Sequence, residues 1–143
     1  MAAYTAITRR VLVVCTDAAH SQAIEGAIRP WLFETVVCAS LQDSADLLAK
    51  QDFSVIFCED RLEQGSYPEL LSLTQRSYKV PVVVMISDVD HDEIFREAMG
   101  LGAFGVIASP CSAKDVKWMV IQATRSDGSS SKPRVSSRRI SMP

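Results

Sequence analysis

Five short apolar runs recur along this chain, and a stretch with helical spacing follows each of them. The runs are Arg10 to Cys15, Glu34 to Ala39 (centred on Val36-Val37-Cys38), Asp52 to Glu59, Val80 to Ile86 and Gly105 to Ala108. They lack the strict polar–apolar alternation of a half-solvated strand, which predicts strands buried on both faces, as in a parallel sheet covered by helices. The first helix is predicted over Ala18 to Arg29, with Ala23, Ile24, Ala27 and Ile28 on one stripe and Pro30 closing it. Ser40 caps a second helix running to about Lys50, with Leu41, Ala45, Leu48 and Ala49 turned inward. A third spans Tyr67 to Tyr78 and a fourth Asp88 to Met99, whose first turn is acidic and so favourable to the helix dipole. Ser112 caps a fifth from Ala113 to about Thr124, with Val116, Met119, Val120 and Ala123 on one side. Pro81 stands at the start of its strand, where the missing N–H is tolerated, and Ser109-Pro110 ends the last strand.

Strands alternating with helices predict an α/β fold: a flavodoxin-like, doubly wound (βα)5 domain with a five-stranded parallel sheet in the order 2-1-3-4-5. That order sets the ends of strands one and three side by side, so Cys15, Thr16, Glu59 and Asp60 are predicted to share a cleft at the carboxyl edge of the sheet. Residues 1–8 form an N-terminal extension and residues 9–124 the domain. Residues 125–143, rich in Ser and Arg, are expected to be a disordered tail too short for an output domain.

Charge changes the picture only in part. The net charge is −2, but the segment from Arg125 onward carries +4 and the rest −6. An acidic domain is a poor match for phosphate backbones, so no direct nucleic-acid binding is expected. No apolar run is long enough to span a bilayer and no signal peptide is apparent, so no membrane contact and a cytoplasmic location are expected. Cys15, Cys38, Cys58 and Cys111 have no C-x-x-C spacing and read as buried structural thiols. His20 and His91 read as exposed, without partners for a triad or a metal site.

Several stretches together resemble the receiver domain of two-component response regulators. They are Arg10-Val-Leu-Val-Val, then Arg61-Leu62 with Gly65, then Pro81-Val-Val-Val-Met, then Glu97-Ala-Met-Gly-Leu-Gly-Ala-Phe104, and Ser109-Pro110. The resemblance covers about residues 9–124 and implies a role in phosphorelay signal transduction. It also implies a cis peptide bond before Pro110. The family's chemistry uses an acidic pair after strand one to bind Mg²⁺, an Asp ending strand three to accept a phosphoryl group, a Thr or Ser ending strand four and a Lys ending strand five to hold that group, and an aromatic switch on strand five.

The matching positions here depart from that set. The acidic pair falls on Cys15 and Thr16, with Asp17 as neighbour; the acceptor falls on Glu59, or on Asp60 if the loop is one residue shorter. The hydroxyl position falls on Ile86 with Ser87 beside it, the Lys on Ser109 and the aromatic switch on Val106. Mg²⁺ is a hard cation that wants oxygen ligands, usually carboxylates among them. Glu59 carries the right charge, but one extra methylene moves its oxygens by about 1.5 Å, and a misplacement of ~1 Å can cost ~100-fold. Ile86 and Val106 would replace a polar contact and its moving partner with an apolar pair.

The expected function is therefore that of a pseudo-receiver: no enzyme, no metal, no cofactor, acting through protein–protein interaction. The alternative is a working phosphoacceptor using Asp60 or Glu59 with Mg²⁺. Glu59 itself reads either as a built-in imitation of the phosphorylated state or as a solvated relic whose charge is met by backbone N–H groups. Trp118 lies off the inward stripe of the fifth helix and is a candidate interface anchor. The resemblance implies a signalling partner, a kinase or regulator, or a homodimer through the face of helix four, strand five and helix five.

Overall fold

The computed structural model describes residues 9–62, 65–86, 91–108 and 111–125. The elements are β1 (Arg10–Val14), α1 (Ala18–Ile28), β2 (Glu34–Cys38), α2 (Leu41–Lys50), β3 (Val55–Glu59), α3 (Tyr67–Leu73), β4 (Val82–Ile86), α4 (His91–Gly100), β5 (Gly105–Ala108) and α5 (Ala113–Arg125). All four strand pairings are parallel, and the order is β2-β1-β3-β4-β5, as the pattern of runs predicts. No helix among the described residues is long and apolar enough to cross a membrane.

The apolar runs explain why the sheet is buried on both sides. Along each central strand, successive side chains enter opposite faces. Val11, Val13, Val55, Phe57, Val83, Met85 and Ile107 pack with Ile24 and Ile28 of α1 and with Val116, Met119 and Val120 of α5. Leu12, Val14, Ile56, Cys58, Val84, Ile86 and Val106 pack on the other side with Leu48, Tyr67, Leu70, Leu71 and Ala98 from α2, α3 and α4. Each fully buried Val, Leu, Ile or Phe contributes roughly 1.5–3 kcal/mol, so these two layers dominate the stability.

The helix ends follow their caps. Asp17 accepts from the Ala19 N–H at 2.9 Å, Ser40 Oγ from the Asp43 N–H at 3.1 Å, and Ser112 Oγ from the Asp115 N–H at 3.1 Å. Pro30 ends α1 through one 3₁₀ turn, Arg29–Trp31, which leaves Leu32 in the left-handed region at φ 64°.

The structure corrects the predicted elements in several places. The first strand ends at Val14, although the Cys15 N–H still bonds the Cys38 carbonyl at 2.9 Å. The third begins at Val55 and the fourth at Val82, because the residues before them lead in from turns. The third helix is not α-helical throughout: it loosens into a π-helical turn over Thr74–Tyr78 and stops at Lys79, φ 53°. Within α2, Ala49 is exposed and Ser44 is buried in its stead. The Ser44 hydroxyl tolerates this because it donates to the Ser40 carbonyl at 2.9 Å. The segment 1–8, the tail from 126 onward, and Ser87, Asp88, Asp90, Ser109 and Pro110 lie outside the described residues, as does the side chain of His91.

Candidate functional site

The strand order brings the β1–α1 junction against the end of β3, as the topology predicts. Glu59 is the last residue of β3 and is 6% exposed. An ionised carboxylate so deeply placed needs donors on both oxygens. Oε1 accepts from the Thr16 N–H at 2.9 Å and from Thr16 Oγ1 at 3.0 Å. Oε2 accepts from the Asp17 N–H at 3.2 Å and contacts His20 Nδ1 at 2.6 Å. A carboxylate can only accept, so Nδ1 of His20 carries the proton in this contact.

Two expectations are overturned here. His20 is not exposed and partnerless: it is 7% exposed and bound to Glu59. Glu59 is met by backbone N–H groups, as one reading expected, but it is not solvated. The signal for His20 was present in the sequence. It stands four residues before Ile24 and so continues the inward stripe of α1. Helical side chains tilt toward the N-terminus, which aims a first-turn residue at the strand ends.

The other residues of the edge fall into place around this carboxylate. Cys15 is buried, and its thiol is pushed up by burial first, then by the charges of Glu59 and Asp17. Asp17 is exposed and is engaged in capping α1. Asp60 is half-buried, its N–H bonding the Met85 carbonyl at 3.0 Å. Its charge contributes to raising Tyr67, a residue of the α2–α3–α4 layer, consistent with Asp60 and Glu59 facing opposite sides of the sheet. The Tyr67 hydroxyl donates to Glu97, and burial, then that bond, hold its pKa far above the ordinary phenol value. Ile86 and Val106 are 2% and 5% exposed and share the core cluster on that same face. Trp118 is 41% exposed on α5.

These donors do not fit Mg²⁺. Both oxygens of Glu59 are already held twice, Asp17 is spent on a helix cap, and Cys15 presents a protonated thiol where a hard cation needs oxygen. Among the described residues, no three His, Cys, Asp or Glu side chains are grouped as metal ligands.

No protein-family model matches this sequence, and no curated protein sequence does. Solved structures do match. The chemotaxis response regulator CheY4 of Vibrio cholerae superimposes with a TM-score of 0.72 at 17% identity, over 82% of this chain and 99% of that one. The chain has the receiver-domain fold. The receiver domain of NtrX from Brucella abortus gives a TM-score of 0.74 at 18% identity, over 82% and 99% of the two chains. The signal receiver domain of an HD domain-containing protein from Pseudomonas fluorescens Pf-5 gives 0.74 at 16% identity, over 85% and 91%. Within the receiver fold, then, the place where β1 and β3 end is occupied by a glutamate closed off by its own chain.

Proposed function

We propose that this chain is a receiver-fold signalling domain that works without taking up a phosphoryl group and acts through contacts with other proteins. One observation carries the reading: the carboxylate of Glu59 is buried and accepts from four donors, two on each oxygen. To attack phosphorus, one oxygen must give up its donors and turn outward. Hydrogen bonds to a charged group contribute about 1.5–3 kcal/mol each. Freeing one oxygen of two such bonds therefore costs about 3–6 kcal/mol, or roughly two to four orders of magnitude in rate. No Mg²⁺ offsets that cost, for the reasons of ligand chemistry given above. The apolar pair Ile86 and Val106, both in the core, supports the same reading, because neither side chain can make a polar contact with a phosphoryl group.

The partner surface in this reading is the outer side of α5. Lys117 Nζ lies 5.9 Å from the centre of the Trp31 ring at the end of α1. Trp118, the next residue on α5, is 41% exposed. An exposed Trp is the residue type most often found to dominate a protein interface. A signalling protein, kinase or regulator, is the partner class.

Incubation with acetyl phosphate and Mg²⁺, followed by intact mass measurement, tests the reading. The expected result is no mass gain for the wild type. A stoichiometric gain of one phosphoryl that disappears in Asp60→Asn or Glu59→Gln would instead establish a working acceptor with Mg²⁺.

A further inference from the structure

Two of the exposed large apolar side chains among the described residues, Leu32 at 80% and Val37 at 49%, stand on or beside β2, the strand at one edge of the sheet. Trp118 belongs elsewhere, on α5, which packs over β3 and β5. We infer that the free edge of β2 pairs antiparallel with the same edge of a second copy of this chain, about a two-fold axis through Val36.

The backbone determines which groups are available. The Glu34 N–H bonds the Arg9 carbonyl at 2.8 Å, and the Cys38 carbonyl accepts from the Cys15 N–H at 2.9 Å. Both groups are therefore directed at β1. Peptide groups along a strand alternate in direction, so Glu34, Val36 and Cys38 serve β1, while Thr35 and Val37 point their N–H and C=O away from the sheet. No described strand pairs with that side.

Edges of this kind are usually guarded by Lys, Pro or a bulge. β2 has none of these, and its register with β1 is unbroken. Its one charge, Glu34, is matched by Arg10 at 3.1 Å. The strand is thus close to neutral, and it is self-complementary. Turned about Val36, Thr35 of one copy faces Val37 of the other, and the reverse. These are the two residues with outward backbone groups, so both pairs form the doubly bonded type. Glu34 falls opposite Cys38, so no like charges meet. Thr35 and Val37 sit across from Val11 and Val13, on the α1 side of the sheet. The exposed Val37 is then covered by Thr35 of the second copy. Pairing of two five-residue strands makes a small interface, so the dimer is weak and concentration-dependent.

This inference is independent of phosphoryl uptake. Sedimentation velocity of the full chain from about 1 to 500 μM, without phosphodonor, reads it directly (the range brackets the weak affinities expected of small interfaces). Reversible dimerisation is expected, with Val37→Lys weakening it by at least about tenfold because it sets charges on the paired edge. Circular dichroism of Val37→Lys should match the wild type. As a second variant, Val36→Cys in a Cys38→Ser background should give a disulfide-linked dimer under mild oxidant. Non-bonded antiparallel positions bring Cα atoms to about 4.5 Å, within disulfide range. A chain that stays monomeric throughout, or a dimer that ignores Val37→Lys and is lost in Trp118→Ala, overturns the inference. So does a folded Val36→Cys variant that dimerises without cross-linking.

Discussion

The contact between His20 and Glu59 decides how the strand-end pocket behaves. His20→Ala removes one hydrogen bond to a charged group and leaves Glu59 three donors, so a loss of about 1.5–3 kcal/mol is expected. Urea unfolding of His20→Ala measures it; a loss under about 0.5 kcal/mol would mean the contact is not formed in solution. Glu59→Gln should cost at least as much, because its NH2 group sets two N–H donors against two groups that donate to one carboxylate oxygen. The thiols make a second prediction at this scale. Burial, then Asp115, raises Cys111 from 9.0 to about 11, and burial is also the first cause for Cys15, Cys38 and Cys58. A thiol whose folded pKa is raised contributes stability that is complete below the unfolded value. The melting temperature is therefore expected to hold up to about pH 9 and fall as pH rises toward 11. Labelling by iodoacetamide at neutral pH should be far slower than for a free thiol. Glu59 and Thr16 were legible as neighbours from strand order alone. His20 was not, because a polar residue in the first turn reads as solvated unless the stripe of α1 is traced back through it.

The elements of this fold were legible because each obeys one period at a time. The five apolar runs became five strands, and the caps at Ser40 and Ser112 both formed. Errors arose where two demands met. The turn at Thr74–Tyr78 has the composition of an ordinary helix, yet it is π-helical. Gln75 donates from Nε2 to the Leu101 carbonyl at 2.7 Å, which ties that turn to the α4–β5 junction. Gly102 makes this approach feasible: its φ is 104°, and a Cβ there would lie 1.7 Å from Gln75 Nε2. Gly102→Ala is expected to cost about 1–2 kcal/mol, from the left-handed backbone and the displaced amide together. In Gln75→Ala the space is free and only the backbone part remains. A double-mutant cycle separates the two contributions. If the two substitutions add without coupling, the amide does not pack on Gly102.

The molecule as a whole unfolds as the sheet dictates. Both core layers are built on the same four strands, β1, β3, β4 and β5, with alternate residues of each belonging to one layer or the other. Neither layer can lose its order without exposing the strands that support the other. Trp31 packs against the α1–α5 layer, whereas far-UV circular dichroism reports all helices and strands together. A domain with separable layers would show fluorescence and dichroism transitions at different urea concentrations. Coincident midpoints and a single slope are expected here, as for most domains of this size. Trp118, being exposed, adds little to the fluorescence change, so Trp118→Ala should leave the midpoint in place. The described core residues fall between Val11 and Ala123. Truncation after Arg125 is therefore expected to leave the melting temperature within about 2 °C of the full chain, a shift well below that of ~1 kcal/mol. A larger drop would mean that the basic segment beyond α5 covers part of the acidic domain, and adding salt would then lower the full chain toward the truncated one.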